Sequence, residues 1–383
     1  MYSATISRRD FLLATSVSIA GAYSGSQLFA AEPAVGKRDD KGAAEAYESM
    51  VAKAIDFLAT KGRAMDGSYT RQAGLGVTAI ATTALLRHGR SPDDPLVKKS
   101  LDYLVEHVQP SGGIHTPKGD FTNYETCLAV LCLSTANRDS RYDQTLKSAD
   151  KFLKGIQFDG QEGHTQADVE FGGGGYGGKG RPDLSNTAFL VEALRSTGNA
   201  ADDQAIQNAL IFVSRCQNLE SPHNTTPFAA KVNDGGFYYT PIVGDDSKEI
   251  EPNGGLRSYG TMTYAGLKSL IFAGVKADDP RAKAAVDWIS KNYDLQSNPG
   301  MGDSGLFYYY HTFAKSLDTL GKTEITDAKG QVHNWRHDLI AELARRQKAD
   351  GSWVNTNARW MEGDPALCTS FALLAISYCK PVK

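Results

Sequence analysis

A helical segment that opens on threonine recurs six times along the chain: Thr78 (TAIATTAL), Thr126 (TCLAVLCL), Thr187 (TAFLVEAL), Thr263 (TYAGLKSL), Thr312 (TFAKSLDT) and Thr369 (TSFALLAI). Five copies carry Leu or Ile seven positions on, two helical turns away on the same face; in the Thr312 copy, Leu320 falls one place later. Ahead of each lies a second helical stretch with a bulky residue near its end: Phe57, Tyr103, Phe152, Phe212, Trp288 and Leu343. Between the two, a glycine is followed two places on by an apolar, mostly aromatic residue: Tyr69, Ile114, Tyr176, Phe237, Phe307 and Trp353. Six copies in one order make a repeat architecture of helix pairs.

Such a pair can stack into an open solenoid or close into a ring. The ring is favoured. The threonine helices are apolar all round and hold small residues such as Ala84, Ala193 and Ala375, as an inner layer packed on both sides requires. The other set carries Lys and Asp on one face (VKKSLDYLVEH, LKSADKFLKGI) and forms the outer layer. The expected fold is therefore all-α, an (α/α)6 toroid of six inner and six outer helices over residues 46–380. Its central cavity is lined by the N-terminal ends of the inner helices. Insertions at 157–182 and 218–260, and a strand–turn–strand in TEITDAKGQVHNW, are drawn at one mouth, where loops of this length form lids or recognition surfaces.

The formal charge of −3 over 383 residues, with no basic stripe, argues against a nucleic-acid partner. The five cysteines are odd in number and several sit in apolar helical runs, which reads as small buried hydrophobes. At the start, Arg8 and Arg9 precede an apolar stretch from Phe11 and then the small residues Ala30 and Ala31. This predicts a twin-arginine export signal over 1–31, a linker over 32–45, and a protein of the periplasm or cell envelope.

The copy RRQKADGSW, with Gln347, Gly351 and Trp353, resembles the glutamine–tryptophan motif of squalene and hopene cyclases and of protein prenyltransferase β subunits. Gln109, Gln157 and Gln217 occupy related places, so the resemblance spans the mature chain. It implies the same toroid, with the motif tying neighbouring outer helices together. Cyclases of this family carry an Asp-x-Asp-Asp motif before an inner helix, and its central aspartic acid protonates an alkene. This chain reads PDLSNTA: Asp183 matches the first aspartate, while Ser185 and Asn186 replace the others. A serine hydroxyl is far too weak an acid for that step. The prenyltransferase zinc site fares no better: His311 in YYYHTF matches its histidine, but Tyr259 and Thr261 stand where the Asp and Cys belong. No metal or other cofactor is expected.

Asp183 can cap the Thr187 helix or touch a ligand, or both. The pairs Asp93-Asp94, Asp202-Asp203 and Asp278-Asp279 each directly precede an outer helix and read as caps. Asp168 and Glu170 form a carboxylate pair in a glycine-rich loop, and His333 and His337 read as surface residues outside a helix. Asp120, Asn123, Tyr124 and Glu125 precede one inner helix; Arg359, Trp360, Glu362 and Asp364 precede another. With Tyr259, Tyr264, Tyr308, Tyr309 and His311 they predict an aromatic-walled cavity with a polar rim, suited to an apolar or amphiphilic ligand. Asp183, Glu125 and His311 are the candidates for chemistry. The leading expectation is an exported toroid that binds an isoprenoid or other lipid, and acts on it, if at all, without the family's acid or zinc. The alternatives are a carbohydrate-active ring using Glu125, Asp183, Glu362 and Asp364, and a non-catalytic ring whose mouth insertions bind a protein.

Overall fold

The computed structural model describes residues 40–70, 73–177, 180–244 and 250–380; the expected export signal over 1–31 and residues 32–39 of the expected linker lie outside them, while 40–45, also expected as linker, are helical at the start of the first helix. Thirteen helices are described: α1 (Asp40–Phe57), α2 (Gly76–Arg87), α3 (Pro95–Val105), α4 (Thr122–Ala136), α5 (Asp143–Lys154), α6 (Leu184–Ser196), α7 (Gln204–Arg215), the short α8 (Ala229–Val232), α9 (Gly260–Phe272), α10 (Pro280–Lys291), α11 (Leu306–Leu320), α12 (Trp335–Arg346) and α13 (Pro365–Ser377). Strands β1 (Glu324–Thr326) and β2 (Val332–Asn334) form one antiparallel hairpin.

The inner helices α2, α4, α6, α9, α11 and α13 each pack on the next, and α13 closes onto α2. Helices α3, α5, α7 and α10 cover them from outside, while α1 packs on α12 and α13 and seals the seam between the chain's two ends. This is the expected toroid. Its layers follow from composition: α9 is buried from Gly260 to Ile271 and α13 from Ala366 to Ile376, whereas the outer helices bury one stripe only. Three outer helices start on the second aspartate of a pair. Asp94, Asp203 and Asp279 accept from the backbone N–H of Leu96, Ala205 and Arg281, as N-caps should.

The repeat residues have defined tasks. In five copies the threonine hydroxyl accepts the backbone N–H of the residue after the Gly-x pair, at 2.9 to 3.1 Å: Thr78 from Tyr69, Thr126 from Ile114, Thr187 from Gly174, Thr263 from Phe237 and Thr369 from Trp353. The glycine two places before clasps the following outer helix. Gly351 has φ +87°, and a Cβ on it would lie 2.3 Å from the Lys53 carbonyl oxygen of α1. Gln157, Gln217 and Gln347 reinforce the clasp by donating to Ala205, Arg281 and Met50 of the next outer helix, while Gln109 bonds only within its own loop.

Two copies depart from the expected register. In the third, Gly174 and not Tyr176 holds the tied position, because the loop offers several Gly-x spacings and the clasping glycine is Gly172. In the fifth, Gly305 in the left-handed region starts α11 at Leu306, so Phe307 lies inside the helix and Thr312 merely bonds back to Tyr308 and Tyr309. The long loops all precede inner helices, at the N-terminal mouth. The hairpin instead joins the C-terminal end of α11 to α12, at the opposite mouth. All five cysteines are free and buried. No helix among the described residues is long and apolar enough to cross a membrane.

Candidate functional site

At the N-terminal mouth the predicted acids serve backbone. Asp183 caps α6: one carboxylate oxygen accepts the Asn186 N–H at 2.9 Å and the other its side-chain amide at 2.7 Å. It is 2% exposed, and burial lifts its pKa to about 6 against those bonds. Glu125, 1% exposed, accepts from Leu75 N–H at the start of α2 and from both the N–H and hydroxyl of Thr116. Glu362 does the same for α11, taking the Tyr308 N–H at 2.9 Å and the Asn355 amide at 2.7 Å, and burial raises its pKa. Asp364 caps α13 and accepts from Thr70. The positive ends of the inner helices thus hold most of the carboxylates at this mouth.

The aromatic residues divide between two places. Tyr124, Phe189, Tyr308, Phe371 and His311 form a continuous pile through the middle of the ring, with centroid spacings of 5.5 to 5.9 Å. Ser185 shares a 2.8 Å hydrogen bond with the Tyr308 hydroxyl. Because Ser185 and Phe189 lie on α6 and Tyr308 on α11, this contact is a chord across the ring that bypasses α9. Tyr264 and Tyr309 instead pack with Phe313 between the inner and outer layers, and Tyr309 donates to the Asp294 carbonyl. They do not line the middle. Tyr259 is buried at the start of α9. Asn123 donates to the Gly175 carbonyl and accepts from Cys127, and Asp120 is exposed beside it.

Above this floor stands an apolar rim. Phe121, Tyr176, Trp360 and Met361 are four of the seven large apolar side chains exposed among the described residues, at 39 to 48%. Phe121 meets Tyr176 edge-on, and Tyr176 leans on Tyr124. Across the mouth, Trp360 and Met361 have φ of 53° and 64°, a strained setting for such residues, with Arg359 stacked 4.3 Å over the indole.

Several expectations change. Asp183, Glu125 and His311 do not form one constellation: the two carboxylates are turned to different helix starts, and His311 lies a turn deeper. Asp168 is held by Thr165 in the outer loop. His333 is not a surface residue; it is largely buried, bonded to Asp338 at 3.0 Å and Asp327 at 3.3 Å and stacked on Tyr293, because the hairpin folds it against α12. His337, by contrast, lies inside α12, whose N-cap is Asn334. Among the described residues no three His, Cys, Asp or Glu side chains group as a metal site.

The sequence reading missed Glu192, Lys268 and Lys315, which meet across the ring as an ion-paired triad with Glu192 and Lys268 buried and Lys315 partly exposed. The signal was present: each is the charged residue within an otherwise apolar turn of TAFLVEAL, TYAGLKSL and TFAKSLDT.

No protein-family profile matches this chain, and no curated protein sequence does. Solved structures to which it is similar include a type II terpene cyclase from Scytonema in its apo form, at 14% identity and TM-score 0.49, over 88% of this chain and 98% of that one. A protein from Actinoplanes gives 15% identity and TM-score 0.49 over 87% and 99%. Candida albicans protein geranylgeranyltransferase-I complexed with GGPP gives 13% and 0.48 over 87% and 90%.

Proposed function

We propose that this chain is an exported lipid-binding ring that takes an isoprenoid or similar long apolar chain at its N-terminal mouth, without acid-initiated cyclisation. The carrying observation is the apolar rim of Phe121, Tyr176, Trp360 and Met361 over the aromatic floor of Tyr124, Phe189, Tyr308 and Phe371. Covering such surface with an apolar ligand is favourable by about 25 cal/mol per Å², and rims of this kind mark ligand or partner sites. What speaks against cyclisation is the acid. Ser185 stands where the central aspartate would act and is hydrogen-bonded to Tyr308, and Asp183, near pKa 6, is orders of magnitude too weak to protonate an alkene. A carbohydrate-active role is disfavoured because Glu125 and Glu362 are each turned to a helix start, with both oxygens already engaged by backbone and side-chain donors.

Trp360 makes the test direct, since Trp288, Trp335 and Trp353 are buried. Farnesol and geranylgeraniol are expected to shift Trp360 emission saturably, and Trp360→Ala together with Phe121→Ala to abolish binding. Lipid extraction of protein purified from its native host should return a bound polyprenyl or related lipid. Protein that is empty on extraction and unresponsive to either alcohol overturns the reading.

A further inference from the structure

The insertion between α7 and α9 encloses an open cavity of about 420 Å³, a size typical of small-molecule sites. Its walls are fixed by close contacts. The chain from Ile250 to Leu256 doubles back on itself, with the Glu251 N–H donating to the Gly255 carbonyl at 2.8 Å. Gly255 seats this turn on α8: a Cβ there would lie 2.7 Å from the Val232 side chain. Asp234 forms another wall, accepting the Gly236 N–H, the Ser258 hydroxyl and the Trp288 indole N–H at 2.7 to 3.0 Å.

Two charged groups in this cavity are left over. Arg257 is half-buried, and among the described residues it has no carboxylate or carbonyl partner; its hydrogen bond goes to the Met301 sulfur at 3.7 Å. A thioether is a weak acceptor for a guanidinium with five N–H donors, whose planar fork matches a carboxylate. Glu251, also half-buried, lines the same cavity, and no donor among the described residues reaches its carboxylate. Opposite charges thus line one space without closing on each other.

That arrangement selects by charge. A plain anion on Arg257 would lie beside Glu251 and Asp234, and a plain cation on Glu251 would lie beside Arg257. A molecule carrying both charges meets both groups. Val232, half-buried, adds an apolar edge. We propose that this cavity binds a small zwitterion of the amino-acid class, its carboxylate on Arg257, its ammonium on Glu251 and an aliphatic side chain against Val232. The site stands apart from the aromatic mouth and does not depend on the lipid reading.

Calorimetric titration of the full chain with leucine, isocaproate and isoamylamine reads the site, because the last two are leucine without its amine and without its acid. Leucine is expected to bind at least tenfold more tightly than either. Arg257→Met should weaken leucine tenfold or more and leave isoamylamine unchanged, whereas Glu251→Gln should weaken leucine and tighten isocaproate. Circular dichroism verifies that each variant is folded. The variant carrying both Trp360→Ala and Phe121→Ala should titrate with leucine as the parent does, which separates this site from the mouth. Isocaproate or isoamylamine matching leucine, no leucine binding at millimolar concentration, or folded Arg257 and Glu251 variants that titrate as the parent does, overturns the proposal. So does loss of leucine binding in the doubly substituted mouth variant.

Discussion

At Asp183 both oxygens serve the first turn of α6 while burial lifts the pKa from the ordinary 3.8 to about 6. The sign of the pH effect follows. The folded state holds the proton more tightly than the unfolded one, so the contribution to stability is present below about pH 4 and is lost as pH rises through about 6. Asp183→Asn keeps an acceptor for the Asn186 N–H and does not titrate. Chemical denaturation at pH 4.5 and 7 should show the parent losing on the order of 2 kcal/mol relative to this variant, and equal pH slopes would refute the assignment. Capping by Asp183 could be read from its place before an apolar helix. The roles of Glu125 and Glu362 could not, because each satisfies the start of a different inner helix, brought alongside only by closure of the ring.

At the scale of elements, the clasp between each repeat loop and the following outer helix is the main joint. Gly351→Ala would press a Cβ into the Lys53 carbonyl from a left-handed backbone, whereas Gly330, at φ +79° in the hairpin turn, has nothing within 4 Å. Gly330→Ala should cost about 1–2 kcal/mol, the backbone penalty alone; Gly351→Ala should cost roughly twice that or more, since α1 must also shift. Thermal melts of the two variants settle the order. The repeat spacing made these elements legible, helix by helix. It misplaced the third and fifth copies because a run such as FGGGGYGG fits the glycine spacing in more than one way, and because nothing in LFYYYHTF marks where a helix should begin except Gly305. The charged chord of Glu192, Lys268 and Lys315 escaped notice because a pairing across the ring has no period in the sequence.

For the molecule as a whole, closure means that no repeat stands free: α1 buttresses α12 and α13, and Gln347 and Gly351 hold α1 in turn. A closed ring of this kind should unfold in one step, unlike an open solenoid, whose ends fray. Removing α1 should lower stability throughout. Denaturant curves followed by tryptophan emission and by circular dichroism are expected to coincide for the full chain; separated midpoints would show that the sectors open independently. The sealed thiols carry this further. Cys127 and Cys132 sit in α4, Cys216 follows α7, and Cys368 and Cys379 flank the seam, all at 2% exposure or less. Each can react with a thiol reagent only when its own sector breathes, so the labelling rates of the five constitute a clock, and the hand that moves first names the place where the circle parts.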